Sequence, residues 1–168
     1  MSTVSAVVTS RIAVPRAPLF AWLVPGVFDT ELSTVLRAGY GFPGTEWTSG
    51  TTGPWDVPGS YRTIHLTDGS TVREEVAAAD APDYFAYVVS NFTNPILRRL
   101  VKEARGQWWF TDDCPGTKVK WLYEFEGTSA LATLLLTPAI KILYRRYMVA
   151  AVQRIKERAE NELLWSVQ

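Results

Sequence analysis

His65 is the only histidine in the chain, and the pairing rules of a hairpin set a carboxylate beside it. The runs Ser60–Leu66 and Thr71–Ala78 flank Thr67-Asp68-Gly69-Ser70. Asp-Gly between two strand-like runs signals a hairpin closed by a type I′ turn. With Thr67 opposite Ser70, Arg62 faces Glu75, Thr63 faces Glu74 and His65 faces Val72. One face then carries Tyr61, Thr63, His65, Val72, Glu74 and Val76. The other carries Arg62, Ile64, Leu66, Arg73 and Glu75, holds more charge and is expected outside. On the first face Glu74 and His65 are diagonal neighbours. A buried carboxylate must be paired or protonated, so Glu74, His65 and Tyr61 would form the polar end of a pocket. There they would hydrogen-bond a ligand, or His65 and Glu74 would move a proton as catalytic residues. The same residues also read as a satisfied core cluster or a solvated face. A one-residue slip swaps the faces and puts the Arg62–Glu75 pair inside.

Other chemistries find little support. One cysteine, Cys114, and one histidine leave no Cys or His cluster for a metal. There is no Ser-His-Asp order and no phosphate-cradling loop. Gly39 to Gly44 lacks the strand–glycine–helix context of a dinucleotide site. Neither a metal nor a cofactor is therefore expected. Seventeen Lys+Arg balance seventeen Asp+Glu, which argues against nucleic acid as a partner. With 47% hydrophobic residues the chain is not a disordered one. No basic segment followed by an apolar block opens it, and no disulfide is possible, so a cytoplasmic location is expected. The most apolar stretch, Ala130 to Tyr144, is interrupted by Pro138 and Lys141. It falls short of the roughly 20 residues a bilayer helix needs, so no stable membrane insertion is expected. It reads as a buried loop and helix start, or else as a lid or surface patch that meets a membrane while lipid is loaded.

The elements that must position these residues follow in order. At 168 residues one domain is expected. Thr3 to Val14 reads as a strand, ended by Pro15 and Pro18. Ala17–Leu23 and Phe28–Leu36 read as short helices, broken by Pro25 and Gly26. Glu46–Ser49 reads as a short strand, and Gly50 to Gly59, around Trp55, as a mobile loop. After the first hairpin come a strand over Asp83–Phe92 and a loop or short helix over Asn94–Lys102. A second hairpin pairs Gly106–Asp112 with Thr117–Glu126. In it Thr117, Val119, Trp121, Tyr123 and Phe125 share one face, and Lys118, Lys120, Leu122, Glu124 and Glu126 the other. Thr137 as N-cap and Pro138 at the first position then open a helix of about 28 residues, roughly 42 Å, to about Trp165. Its apolar stripe runs through Ile140, Leu143, Tyr144, Tyr147, Met148, Ala151, Val152, Ile155, Ala159 and Leu163. A sheet of hairpins needs a second layer, and this helix is the one available.

Seven Trp, seven Tyr and seven Phe stand in the chain. Ten aromatics lie on three successive strands, from Tyr84 to Phe125, and serve either as core or as the wall of an apolar pocket. The residues expected to line such a pocket are Tyr61, Thr63, His65, Glu74, Tyr87, Trp109, Trp121, Tyr123, Tyr144 and Met148.

The order of motifs resembles the START-like, or SRPBCC, superfamily, which includes the birch-pollen allergen and the polyketide cyclase/dehydrase-like proteins. The resemblance rests on Arg11-Ile12-Ala13-Val14-Pro15 followed by Leu19-Phe20-Ala21-Trp22-Leu23. It continues through Gly59-Ser60-Tyr61-Arg62-Thr63, Asp68-Gly69, Arg73-Glu74-Glu75-Val76, Asp80-Ala81-Pro82 and Phe85-Ala86-Tyr87. Gly106-Gln107-Trp108, Gly116-Thr117-Lys118-Val119-Lys120-Trp121 and the final helix complete it. The resemblance implies an α+β helix-grip fold: a seven-stranded antiparallel sheet around a long C-terminal helix, with two short helices after the first strand. It also implies a cavity for a lipid, polyketide or isoprenoid. In cyclase-type members pocket Arg, Tyr, His or Trp residues hold the chain and move protons, and His65, Tyr61, Tyr87 and Arg62 are the counterparts by position. Three functions stay open. One is a binder or carrier of a small hydrophobic molecule. The second is a cyclase/dehydratase-like enzyme. The third is an interaction or stress module whose pocket is self-filled and which exposes an apolar patch near Leu131 to Leu136.

Overall fold

The computed structural model describes residues 2–164. Its centre is a seven-stranded sheet, antiparallel throughout. The strands are β1 (Thr3–Ile12), β2 (Thr45–Ser49), β3 (Tyr61–Leu66), β4 (Thr71–Asp80), β5 (Tyr84–Ser90), β6 (Val101–Asp113) and β7 (Gly116–Gly127). Their order is β1-β7-β6-β5-β4-β3-β2, so β2 to β7 form a meander and β1 closes against the last strand. Helices α1 (Arg16–Trp22), α2 (Phe28–Thr30) and α3 (Leu32–Val35) follow β1, and α4 (Leu97–Leu100) precedes β6. The C-terminal helix runs as α5 (Ala130–Pro138), a wide π-helical turn (Ala139–Tyr144) and α6 (Arg145–Leu164). This is the expected α+β helix-grip.

Several local expectations are corrected. Pro25 and Gly26 do not break the first helix: the chain continues through a π-helical turn, Leu23–Val27, into α2. The second short helix is two pieces, split at Glu31, whose φ of −129° is not helical. The loop over Gly50 to Gly59 is anchored, because Trp55 is buried. The long helix starts eight residues early. Ser129, not Thr137, is its N-cap, and the Ser129 hydroxyl accepts from the Ala132 N–H. Thr137 instead donates back to the Thr133 carbonyl. Pro138 sits inside the helix and has no N–H to offer the Leu134 carbonyl, and the turns after it widen. Trp165, the expected end, lies outside the described residues.

The first hairpin turn matters most for the site. Leu66 donates to the Ser70 carbonyl and accepts from the Gly69 N–H. The loop is therefore three residues, Thr67-Asp68-Gly69, with only Gly69 at positive φ (+83°). A type I turn followed by a left-handed glycine gives this geometry. Asp68 fixes it by accepting from both the N–H and the hydroxyl of Ser70. One extra loop residue shifts the register by one: Arg62 pairs with Glu74 and Ile64 with Val72. The shift puts Arg62 and Ile64 on the concave face with Val72, Glu74 and Val76, all five buried. Tyr61, Thr63, His65, Arg73 and Glu75 point the other way. Burying Ile64 against Val72, rather than His65, is the apolar gain that favours this register.

The second hairpin keeps its expected alternation, with Thr117, Val119, Trp121, Tyr123 and Phe125 buried. Against them α6 presents Tyr147, Met148, Ala151, Val152, Ile155 and Ala159 at helical spacing. Arg154 and Arg158 hold α6 to the short helices, through the Val35 carbonyl and the Thr34 hydroxyl.

Gly106 lies under the Tyr87 ring. A Cβ there would come within 2.1 Å of Tyr87 Cζ. Gly106→Ala is expected to displace that ring and cost about 1–3 kcal/mol, read as a lower urea midpoint with an unchanged m-value.

Candidate functional site

Period two along β6 places Ala104, Trp108 and Phe110 on the concave face, where all three are buried. Trp109 therefore faces out, against Tyr84 and beneath Lys120. On β3 to β5 the same alternation turns Arg62, Glu74 and Tyr87 inward. Between this face and the helix lie two adjoining cavities. The inner one, about 20 Å³, is walled by Trp55, Arg62, Trp108 and Ile155 among others. The outer one, about 90 Å³, is walled by Phe42, Ile64, Tyr123, Tyr144 and Tyr147 among others. Leu36, Glu74 and Tyr87 border both.

The inner cavity is built on a buried charge pair. Arg62 Nη2 donates to Glu74 Oε1 at 3.0 Å, with the two side chains 0% and 8% exposed. Arg62 Nη1 donates to the Asp29 carbonyl at 2.9 Å. The Trp55 ring covers the guanidinium, 3.7 Å from ring centre to Cζ, as a desolvated cation over an indole should be. Arg62 Nε has no protein acceptor, and the indole N–H groups of Trp108 and Trp121 make no well-aligned hydrogen bond, with only the Tyr87 hydroxyl oxygen in reach of both. The two indoles stack 4.8 Å apart at 16°. All three residues wall the inner cavity.

Burial pushes the Glu74 carboxyl above its ordinary value, and the charge and hydrogen bond of Arg62 pull it back only part of the way. Desolvation likewise raises the phenols of Tyr87, Tyr123 and Tyr144. It lifts Tyr147 to about 12. All four remain neutral hydroxyls at physiological pH.

Aromatic rings close the outer cavity. A tight turn at Gly39–Phe42, with hydrogen bonds both ways between its ends, presents Phe42 to Tyr144 at 4.9 Å, edge to face. Tyr144 also packs on Tyr123, Phe125 and Tyr147.

Five of the expected lining residues, Glu74, Tyr87, Trp121, Tyr123 and Tyr144, reach these cavities. Met148 is fully buried in the core and walls neither. Tyr61, Thr63, His65 and Trp109 stand on the convex face. His65 stacks on Trp47 at 3.6 Å and its Nε2 lies 2.8 Å from the Ser49 hydroxyl. It cannot exchange a proton with anything in the cavity. Arg62, expected on the outer face although a counterpart by position to the family's pocket residues, and Trp108, absent from the expected lining, follow from two local facts, while Trp55 lies in what reads as a mobile loop. A three-residue turn brings Arg62 in, and even-numbered positions of β6 face the core.

A family model described as polyketide cyclase/dehydrase and lipid transport matches residues 6–160, and the chain belongs to this family. No curated protein matches it. Among solved structures it is similar to Ara h 8.0201, with a TM-score of 0.68 at 16% identity, over 96% of this chain and 100% of that one. It is similar to major latex-like protein 151 of Panax ginseng, with a TM-score of 0.67 at 14% identity, over 93% and 97%. It is also similar to MLL2253 of Mesorhizobium loti, with a TM-score of 0.64 at 12% identity, over 95% and 98%. At these identities the likeness is one of fold. Together the family and the fold make this a hydrophobic-ligand-binding scaffold.

A carboxyl whose pKa is higher folded than unfolded contributes stability below its unfolded value, near 4.5 for Glu74. That contribution is lost as pH rises through the folded value. Wild type is therefore expected to lose stability relative to Glu74→Gln as pH rises from about 4.5, measured by urea unfolding at a series of pH values. Glu74→Ala, which strands the buried guanidinium, is expected to cost about 3–5 kcal/mol.

Proposed function

We propose that this protein binds a small apolar molecule carrying one hydrogen-bond acceptor, without transforming it. The observation behind this reading is the group of buried N–H donors in the inner cavity: Arg62 Nε, which has no protein acceptor, and the Trp108 and Trp121 indoles, which share only the Tyr87 hydroxyl. A buried donor without an acceptor costs about 1–3 kcal/mol. A carbonyl, phenol or carboxylate oxygen entering the inner cavity recovers that energy, and the molecule's apolar body lies against the rings of the outer cavity. Binding is favoured over proton transfer because His65 stands outside and the Glu74 carboxylate is held by Arg62.

The outer cavity of about 90 Å³ is smaller than the roughly 150 Å³ that admits benzene. Larger ligands enter only when the Phe42–Tyr144 contact opens. A lipid, polyketide or isoprenoid would load in that way.

Acetophenone and ethylbenzene differ by one carbonyl oxygen at nearly the same size. Acetophenone is expected to bind about tenfold more tightly, since one added hydrogen bond contributes about 1–1.5 kcal/mol, read by tryptophan fluorescence and calorimetry. Trp121→Phe, which removes one of the three donors and keeps the aromatic wall, should lower that preference. Equal affinities in wild type would overturn the reading, as would binding of neither compound at millimolar concentration.

A further inference from the structure

The N-terminal half of the C-terminal helix is apolar on every side. From Gly127 to Ile140 the sequence holds no charged residue. The inner side of α5 buries Ala132, Thr133 and Leu136 against the sheet. The outer side leaves Leu131, Leu134 and Leu135 uncovered, followed by Ile142 at the next helical repeats. Ile96 is exposed just before α4, an element that packs against α5. These five aliphatic side chains are between 54% and 69% exposed. A helix apolar all round belongs in a core or a membrane, and here only one side has a core.

The segments that carry this patch hold only positive charge; the acidic side chain at the vestibule beside it is Asp68, which accepts from Asn94. No acidic residue occurs from Gly127 to Lys156 or from Tyr84 to Lys102, in a chain whose net charge is zero. Arg98 and Arg99 on α4 and Arg145 and Arg146 on α6 are exposed, and among the described residues they form no ion pair. Arg145 and Arg146 open α6 directly after the wide turn that holds Ile142. Exposed leucines with arginines on the neighbouring elements are the complement of acyl chains beneath anionic headgroups.

The patch also adjoins the cavity mouth. A vestibule of about 390 Å³ is walled by the apolar Phe42, Pro43, Ile96 and Leu97 and by the polar Thr67, Asp68 and Asn94. Phe42, Pro43 and Leu97 also wall the outer cavity. Ile96 therefore belongs to both the patch and the mouth.

We infer that α5, with Ile96 and the flanking arginines, docks this protein reversibly on the surface of an anionic lipid bilayer, with the cavity mouth toward the membrane. The contact is peripheral, since no helix among the described residues is long and apolar enough to cross. Docking does not depend on what the cavity binds.

Co-sedimentation tests this with vesicles of phosphatidylcholine alone and of phosphatidylcholine and phosphatidylglycerol at 7:3. Wild type is expected to bind the anionic vesicles at least tenfold more strongly and to release them in 0.5 M salt. Leu134→Ser/Leu135→Ser should lower that binding at least tenfold with an unchanged unfolding midpoint, as both positions are exposed. Arg145→Ala/Arg146→Ala should weaken binding and flatten its salt dependence. Val57→Ser, at an exposed aliphatic in the loop before β3, is the control that changes nothing. Absence of binding to the anionic vesicles would overturn the inference. So would binding that the leucine variant leaves intact. Sedimentation equilibrium showing a dimer that the leucine variant dissociates, without vesicle binding, would assign the patch to a second copy instead.

Discussion

Arg62 carries a full charge into the inner end of the sheet, with its side chain fully buried. An isolated buried ion would cost far more than a domain's net stability, so the surroundings must answer it. Three elements do so at once: Glu74 from β4, the Asp29 carbonyl from α2 and the Trp55 ring from the loop before β3. Each is thereby held in place. Trp55 pins a glycine- and proline-rich segment that would otherwise have no buried anchor. Asp29 brings the short helices down over the sheet. The cavity exists because this end of the gap is occupied by a rigid polar cluster that aliphatic side chains cannot collapse into.

How much of this could be seen in the amino-acid sequence depended on how local each determinant was. The second hairpin alternates Val119, Trp121, Tyr123 and Phe125 with charged neighbours, so its faces were legible without knowing the turn. The helix stripe from Tyr147 to Ala159 was legible for the same reason, as was the order of elements that resembles the family, whereas Leu143, expected on the stripe, is 40% exposed in the wide turn. The first hairpin mixes polar and apolar residues on both faces, so its register rested on the turn alone. Asp68-Gly69 fits a two-residue and a three-residue loop, and the difference of one residue exchanges His65 for Arg62 at the heart of the site. Trp108 and Trp109 are adjacent and chemically alike, and only the neighbours at Ala104, Gly106 and Phe110 decide which is inside. The start of the long helix is not legible because Pro138 is the residue that favours a first turn. Here Ser129 caps the helix earlier, and Pro138 is tolerated in its interior, followed by a wide turn.

The two halves of that helix do different work. From Arg145 onward it is amphipathic and tied down on both flanks, by Arg154 and Arg158 to the short helices and by Glu160 to the Ala13 N–H. Such ties fix the depth at which Tyr147, Met148 and Ile155 enter the sheet. Before Tyr144 the helix has few polar ties and an apolar outer side. The π-helical turn separates the two regimes, and its last residue, Tyr144, is the ring that meets Phe42 over the outer cavity. Any displacement of α5 on a surface is therefore felt first at Tyr144. The α6 half, held by its ion pairs and core contacts, stays where the sheet needs it. A mouth that opens and a core that does not are compatible in one helix because widened backbone lies between them.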